Sequence, residues 1–280
     1  MLQNVAENTF LIGKRLKNLK DTVEERNPDS FGKGGVDLEF MDGTTTKADI
    51  VIGADGINSV VRKHIFGEIP LRYSGQTCWR GIAKISLDNP KQSKELWGTK
   101  AGLRAALCQV GENEVYWYVT VKHTEGLKLS PEATKPYLLD LVSEFNSPIQ
   151  KMIQLTEPQH ILHNDLSDFV PLKSWYKGNI ILIGDAAHAT TPNLGQGACQ
   201  AIEDAFALAD CLKTTPSVKI AFSTFQNSRI KKATFVINTS LQLGQLSNIG
   251  GAVGYRLRNF LLKIAPNWVA EKQFDYLFKV

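Results

Sequence analysis

The sequence predicts an α/β fold with an inserted antiparallel β-sheet, and three observations support this prediction. Two aliphatic runs, Ile50-Val51-Ile52 and the four residues that follow Asn179 in the segment 179–183, are typical of parallel strands that are covered on both faces. Between them, from about residue 71 to 120, β-rich runs alternate with turn residues, which indicates antiparallel strands. Helical patterns dominate after the second run.

The elements before the insert are predicted from local patterns. Residues 9–19 are predicted to form a strand, and residues 36–40 alternate apolar and polar side chains, as a half-buried strand does. Asp42-Gly43 predicts a hairpin turn, and we expect the returning strand to end in Ile50-Val51-Ile52. A helix should follow, with Asn58 or Ser59 as its cap.

The later elements are mostly helical. Residues 131–155 are predicted to be helical with a break near Ser147-Pro148, and residues 198–212 and 218–246 to form two further helices, with more helix towards residue 280. Residues 1–70 and 168–213 are therefore predicted to form one nucleotide-binding domain. Residues 71–167 would form a substrate domain, and residues 214–280 a C-terminal helical segment.

Composition excludes several classes of function. A net charge of +4 over 280 residues gives no reason to expect a nucleic-acid partner. No apolar run is long enough to span a bilayer, so we expect no membrane partner. His160 and His163 could share a helix face, but they lack a carboxylate or cysteine cluster, so we predict surface residues and no metal site. The cysteines form no CxxC pair and predict reduced thiols in a cytoplasmic protein: Cys78, Cys108, Cys199 and Cys211.

The first motif that carries chemistry covers residues 48–62. A strand runs into Gly53, where the backbone must turn closely, and then into Asp55-Gly56. A carboxylate at the end of a parallel strand lies where α/β sheets bind ligands. The alternative is that Asp55 only caps the following helix and Gly56 only makes the turn.

The second motif covers residues 178–205 and is more specific. Its strand delivers Asp185 to the carboxyl edge of the sheet, and Pro192, Gly195 and Gly197 then lead into a helix. The N-terminus of that helix favours negative charge. A flavin fits both features, because its hydroxyls suit Asp185 and its N1–C2=O edge becomes anionic on reduction. His188 is predicted to pack or hydrogen-bond within the loop.

These segments resemble the FAD-dependent aromatic-ring-type monooxygenases, the family of para-hydroxybenzoate hydroxylase, salicylate and urate hydroxylases and zeaxanthin epoxidases. Asp55-Gly56 resembles the family's DG motif, and Gly184-Asp185 its GD motif, whose Asp binds the FAD ribose or ribityl. Residues 192–197 resemble the loop against the isoalloxazine ring. The cofactor-binding residues that the resemblance implies are Asp55, Gly56, Arg62, Gly184, Asp185, Pro192, Gly195, Gln196, Gly197, Ala198 and Cys199.

The resemblance also suggests substrate-binding residues. Residues 73–81 resemble the family's entry into its substrate-side sheet. In the urate-hydroxylase-like branch, an Arg and a Tyr placed like Arg104 and Tyr116 lie over the flavin. Arg104 could hold an anionic substrate and Tyr116 could orient its ring. The alternative is that Arg104 is a solvated sheet residue and Tyr116 belongs to the core.

One part of the family pattern has no counterpart in this sequence. The family begins with a strand, a GxGxxG loop and a helix that holds the FAD diphosphate. Without that βαβ region, the prediction is a truncated Rossmann-like FAD-binding domain. We expect its two aliphatic runs to be partly exposed and the chain alone to bind FAD weakly or not at all.

The function implied by the resemblance is an FAD- and NAD(P)H-dependent monooxygenase. It would insert one oxygen atom from O₂ into a small aromatic or conjugated substrate via a flavin C4a-hydroperoxide, with NADH or NADPH as reductant. No catalytic side chain is required, because the flavin supplies the chemistry. Three alternatives stay open: an inactive fragment, one half of a split flavoenzyme completed by a chain carrying GxGxxG, and a flavin oxidase or dehydrogenase.

Overall fold

The computed structural model describes residues 9–21, 35–91, 93–146, 148–215, 217–264, 271 and 275–278. The chain divides into two compact units. The first unit comprises Met1–Pro70, Phe169–Thr190 and Gly195–Ile237. The second comprises Leu71–Asp168, Thr191–Leu194 and Asn238–Val280.

Strands and helices alternate in blocks along the chain. The strands are β1 (Leu16–Asp21), β2 (Val36–Phe40), β3 (Thr45–Ala48), β4 (Val51–Gly53), β5 (Arg72–Ala83), β6 (Lys94–Trp97), β7 (Arg104–Gly111), β8 (Glu114–Lys122), β9 (Leu162–Asp168), β10 (Tyr176–Lys177) and β11 (Ile180–Leu182). The helices are α1 (Val60–Phe66), α2 (Pro131–Leu141), α3 (Ile149–Leu155), α4 (Asp185–His188), α5 (Gly197–Thr214), α6 (Val218–Ser247) and α7 (Gly251–Ile264).

The first unit contains two small sheets. β1, β2 and β3 form an antiparallel sheet, in which the predicted turn at Asp42-Gly43 joins β2 to β3. The second sheet has the order β10-β11-β4. In it β11 pairs in parallel with β4, so that Ile181 lies opposite Ile52. This pairing confirms the prediction that the two aliphatic runs belong to one parallel sheet.

Two boundaries in this unit differ from the prediction. The first strand begins at Leu16 instead of residue 9. The strand returning from the hairpin ends at Ala48, and Val51 begins a separate strand in the other sheet. The chain changes partners between these residues, because β3 bonds to its hairpin neighbour whereas β4 bonds to the distant β11. Local composition contains no signal for such an exchange.

Burial of the two aliphatic runs is unequal. Ile52 is 42% exposed, because β4 is the edge strand of its sheet. The prediction that both faces of the first run are covered is therefore wrong for Ile52. The prediction that this run is partly exposed is correct for the same residue. The side chains of Ile180–Leu182 are all buried, in a core that includes Trp175, Phe222 and Phe225. Partial exposure was thus wrong for Ile180–Leu182, whereas Ile183 is only partly buried.

The second unit is built on a five-stranded antiparallel sheet of order β6-β7-β8-β5-β9, which confirms the predicted antiparallel insert. One face carries Trp79 and Trp117 into a core with Leu138 of α2 and Met152 of α3. The predicted break between these helices is present, since α2 ends at Leu141 and α3 begins at Ile149. Strand β9 had no sequence prediction.

His160 and His163 do not share a helix face, and the prediction that both are surface residues is correct for His160, which is exposed, whereas His163 is partly buried. His160 ends a 3-10 turn, whereas His163 lies on β9, where its ring stacks on Trp79 with centroids 4.4 Å apart. The imidazole of His163 also lies 2.6 Å from the hydroxyl of Thr77. Burial lowers the pKa of His163 below its usual value.

The C-terminal part follows the predicted helical pattern. The long helix α6 covers residues 218–247, and α7 follows after a short connection. Beyond α7, the structure describes residues 271 and 275–278, and the other residues of the predicted helical tail lie outside the described part. Among the described helices, none has the length and apolar character needed to cross a bilayer.

Candidate functional site

Asp55 lies just after the end of β4, as predicted from the first motif, and its side chain is hydrogen-bonded. Its carboxylate accepts hydrogen bonds from the hydroxyl of Ser59 (2.5 Å) and from the backbone N–H groups of Val60 (2.7 Å) and Val61 (3.2 Å). Ser59 is the cap of α1, because its hydroxyl accepts from the backbone N–H of Arg62. Asp55 therefore holds the start of α1, as the capping alternative proposed.

Gly53 and Gly56 are required by the backbone of this motif. A Cβ atom on Gly53 would lie 2.7 Å from the Leu182 side chain and 2.9 Å from Cβ of Val61, so only glycine lets β4, β11 and α1 approach this closely. Gly56 has a φ of +79°, a left-handed conformation that favours glycine. Both glycines thus set the turn that presents Asp55.

Arg62 connects the first motif to the second. It is 5% exposed and donates to the carbonyl oxygens of Ala186, at 3.0 Å, and of Ile57. Its guanidinium lies 4.4 Å from the ring centroid of Phe169. Burial lowers the pKa of Arg62. Because its donors bind backbone of both motifs, Arg62 positions the turn around Asp185.

The second motif forms a tight turn that presents Asp185 to solvent. Gly184 adopts a φ of +57°, and a Cβ atom there would lie 3.1 Å from Cβ of Ala201 on α5. Asp185 then begins the single-turn helix α4, which the sequence did not predict. Asp185 is exposed, whereas Ala186 and Ala187 behind it are fully buried.

A buried carboxylate, Asp204 of α5, fixes this turn. It accepts from the backbone N–H of Gly184 (2.9 Å), from the imidazole of His188 (2.5 Å) and from Nε of Arg229 (2.9 Å). His188 is 3% exposed and packs against Trp175, so the prediction that it packs is confirmed. Its hydrogen-bond partner, however, lies on α5 and outside the loop.

The start of α5 is suited to an anionic or carbonyl group. It has no side-chain cap and no acidic residue in its first turn. The N–H of Gln200 makes the first α-helical bond, to the carbonyl of Gln196 at 3.0 Å, so the three preceding N–H groups have no helical partner. A Cβ atom on Gly197 would lie 4.0 Å from Oδ1 of Asp185. A carboxylate and free N–H donors therefore lie side by side, which fits the ribityl and ring edge of FAD.

The remaining predicted residues of this loop are accessible. Gly195 is exposed, has a φ of +66° and has open space where a side chain would be. Ala198 and Cys199 are exposed on the first turn of α5. Pro192 is exposed and begins the 3-10 turn of residues 192–194, which belongs to the second unit.

In the second unit, Arg104 is buried and ion-paired, so it is no solvated sheet residue. It is 3% exposed and donates to Glu95 (3.3 Å) and to Oδ1 of Asn193, a residue of the 192–197 loop. Its guanidinium lies 5.4 Å from the ring centroid of Trp97. Its Nε is buried and has no hydrogen-bond partner among the described residues.

Tyr116 lies on the same face of the sheet as Arg104 but does not touch it. Arg104 pairs with Thr120 and Tyr116 with Cys108, which places the two side chains about 13 Å apart along the strands. Tyr116 is half-buried, and burial raises the pKa of its phenol. Tyr118 lies between them and donates to Glu95 at 2.8 Å. The structure therefore links Arg104 to Tyr118 through Glu95.

Comparison with known proteins identifies the family. The family model described as FAD binding domain matches residues 30–215. The chain belongs to the family of FAD-dependent monooxygenases. It is 33% identical over 263 residues to the aurachin C monooxygenase/isomerase of Stigmatella aurantiaca, covering 94% of this chain and 65% of that protein.

Two further similarities support the family assignment. The chain is 32% identical over 287 aligned positions to the 2-heptyl-3-hydroxy-4(1H)-quinolone synthase of Pseudomonas aeruginosa, which covers 99% of this chain and 70% of that protein. Klebsiella pneumoniae HpxO, solved in complex with FAD and uric acid, superposes with a TM-score of 0.82 at 25% identity, covering 95% of this chain and 66% of that one. The chain thus spans about two thirds of the lengths of these relatives.

Sequence reasoning missed several residues that shape these sites. Asp204 lies within the second motif but was given no role, and Arg229 lies outside both motifs. The hydrogen bonds of Asp204 to Gly184 and Arg229 join residues 20 and 25 positions apart in the chain. Tyr118 could have been found, because alternation along β8 puts it on the face of Tyr116. Glu95 could not, since its place depends on how β6 pairs with β7.

Proposed function

We propose that this chain forms the flavin-ring and substrate parts of a monooxygenase that inserts one oxygen atom of O₂ into a small aromatic or conjugated molecule. The observation that carries the proposal is Asp185, an exposed carboxylate at the end of a buried parallel strand, beside free N–H groups at the start of α5. The names of the aurachin C and quinolone relatives support an aromatic substrate.

Each predicted residue has a proposed role. Asp185 accepts hydrogen bonds from the flavin's ribityl or ribose hydroxyls, and residues 195–199 contact the ring edge through their backbone N–H groups. Arg62 acts as a positioning residue through Ala186, and Asp55 with Gly56 sets the neighbouring turn. Bound FAD supplies the oxygen chemistry after reduction by NADH or NADPH.

The substrate side is proposed to lie on the sheet of the second unit. Arg104 offers a buried cation with one free N–H, and Tyr116 a protonated phenol. Residues 1–70 and 168–213 would thus serve the cofactor, residues 71–167 the substrate, and residues 214–280 would form the helical segment that follows. Water exclusion and orientation are what these side chains contribute, because the reaction needs no nucleophilic side chain.

An isotope experiment tests the proposal. The chain is supplied with NADH or NADPH, ¹⁸O₂ and a large excess of FAD, because FAD binding is expected to be weak, and is offered uric acid or 2-heptyl-4(1H)-quinolone as probes. The expected result is product that contains one ¹⁸O atom, formed in step with NAD(P)H consumption. Consumption that yields only hydrogen peroxide with either probe, at the same rate as without a probe, would instead identify a flavin oxidase and contradict the proposal.

A further inference from the structure

A cavity of about 370 Å³ opens on the five-stranded sheet, on the side of the sheet that also carries Arg104. It is lined by Arg80, Ile82, Tyr116, His160 and Leu162, together with the Lys84–Glu114 ion pair. All of these residues belong to the second unit. The volume falls in the lower part of the range for small-molecule sites, about 300–1,000 Å³.

The strand register explains how the cavity is lined. Ile82 of β5 lies opposite Tyr116 of β8, and Arg80 lies opposite both Tyr118 of β8 and Leu162 of β9. Directly opposed residues in antiparallel strands point to the same face, so these side chains form one surface. The cavity floor is therefore part of the rigid sheet.

The apolar part of this surface is exposed to solvent. Ile82 is 47% exposed and Leu162 is 55% exposed. Two aliphatic side chains in adjacent strands of a concave surface offer a patch for an apolar ligand. A methylene chain or an apolar ring would remove both from water.

The polar part of the cavity carries an unmatched positive charge. Lys84 is paired with Glu114, and Arg104 with Glu95. Arg80 forms no ion pair with any carboxylate of the described residues, and it donates a hydrogen bond to the amide oxygen of Asn164, at 3.2 Å. A guanidinium has five N–H donors, so most of those on Arg80 remain available to an anionic oxygen.

Tyr116 adds a second donor. Its hydroxyl makes no hydrogen bond to the described residues, and burial keeps its pKa above the usual value. The phenol is therefore protonated at neutral pH and can donate to an acceptor that already binds Arg80.

We propose that this cavity binds an amphiphilic anion, with a carboxylate, phenolate or enolate oxygen on Arg80 and an apolar body against Ile82 and Leu162. The claim that the cavity binds such an anion depends on the cavity alone. The claim that such anions are the substrates also rests on the proposed monooxygenase function. The enzyme would then act on molecules that combine an anionic oxygen with an apolar chain or ring. Arg80 is the specificity-determining residue of this account.

The test measures octanoate binding by titration calorimetry, on the flavin-free chain. We expect saturable binding, and affinity that rises about two- to fourfold per methylene from butanoate to octanoate. Arg80→Met should weaken octanoate binding at least about tenfold, because a charge-assisted hydrogen bond is lost. The octanoate affinity of Arg80→Lys should lie between those of the wild-type chain and Arg80→Met. Arg256→Met is the matched control, since it removes an exposed arginine of α7, and should leave binding unchanged.

Three results would overturn the proposal. They are the absence of saturable octanoate binding, equal affinity for octylammonium and octanoate, and unchanged affinity in a folded Arg80→Met variant. The first two use the wild-type chain and need no variant to fold. Because no flavin is present, octanoate binding with failed ¹⁸O incorporation would leave the site intact and reject the proposed function. Successful ¹⁸O incorporation without octanoate binding would support the proposed function and reject the binding site.

Discussion

Replacing Asp204 with asparagine tests whether the turn that presents Asp185 depends on a buried carboxylate. Asp204 is fully buried and receives three hydrogen bonds, from Gly184, His188 and Arg229. An asparagine has the same shape, but its NH₂ group cannot accept. At least one of the three donors would then face another donor.

The magnitude follows from the partners that remain. Removing one member of a buried ion pair costs about 3–5 kcal/mol, because the other charge is left uncompensated. Arg229 also binds Glu203 and the side-chain oxygen of Gln200, so part of its charge stays matched. We therefore expect a loss near the lower limit, about 3 kcal/mol in the free energy of unfolding.

The assay is urea unfolding of the wild-type chain, Asp204→Asn and a matched control, Asp210→Asn. Asp210 lies on the same helix and is exposed, so its replacement should change stability by less than about 0.5 kcal/mol. If Asp204→Asn and Asp210→Asn unfold at the same urea concentration, the carboxylate does not hold the turn and this reasoning is wrong.

The stability difference between the wild-type chain and Asp204→Asn should also depend on pH. Burial raises the pKa of Asp204, but the hydrogen bonds and charge of His188, Gly184 and Arg229 outweigh burial and lower it below 3.8. A carboxyl whose pKa is depressed by folding stabilises the fold above its unfolded pKa, and this contribution is lost as the pH falls through the folded value. The stability difference between wild type and Asp204→Asn should therefore be full at neutral pH and shrink below about pH 4.

Three further predictions concern the motifs and the cysteines. Gly53→Ala should destabilise the chain by about 1–3 kcal/mol, because a Cβ atom would lie 2.7 Å from the Leu182 side chain. Arg62→Met should cost about 2–4 kcal/mol in urea unfolding, because a buried carbonyl group of Ala186 and a partly buried one of Ile57 lose their donor. Iodoacetamide should modify exposed Cys199 before Cys78, whose pKa burial raises to about 11, and a bound flavin should protect Cys199 in peptide mass spectra.

Each of these predictions has an outcome that contradicts it. Wild-type stability of Gly53→Ala would mean that β4 and β11 have room to separate. Wild-type stability of Arg62→Met would mean that solvent can replace its hydrogen bonds. Equal labelling of both cysteines would contradict the burial of Cys78. Labelling of Cys199 at the same rate with and without flavin would contradict the proposed position of Cys199 beside the flavin ring.

The elements that were predicted correctly carry local signals. The two aliphatic runs predicted a parallel pair, and β4 and β11 form it. Turn residues predicted the hairpin between β2 and β3, and Ser59 was one of two residues named as the cap of α1. In each case the signal lies within a few residues of the element it specifies.

The misses share a different cause, since they depend on residues far apart in the chain. Exposure of Ile52 follows from which strand lies beside β4, and the stacking of His163 on Trp79 follows from the pairing of β9 with β5. Helix α4 has a single turn, and Asp204, 16 residues beyond His188, holds it. Patterns of period 2 or 3.6 do not encode such contacts.

The most direct test of the central claim is a titration of the chain and its Asp185→Asn variant with flavin, in which binding is measured as quenching of the flavin fluorescence. Riboflavin and FAD are compared, because both carry the ring and ribityl that Asp185 and the start of α5 are proposed to bind. Because no GxGxxG loop is present to hold the FAD diphosphate, we predict weak binding of both flavins, with FAD bound no more tightly than riboflavin. Asp185→Asn should weaken both further, whereas Asp210→Asn should weaken neither. Binding that is unaffected by Asp185→Asn, or no binding of either flavin, would contradict this account.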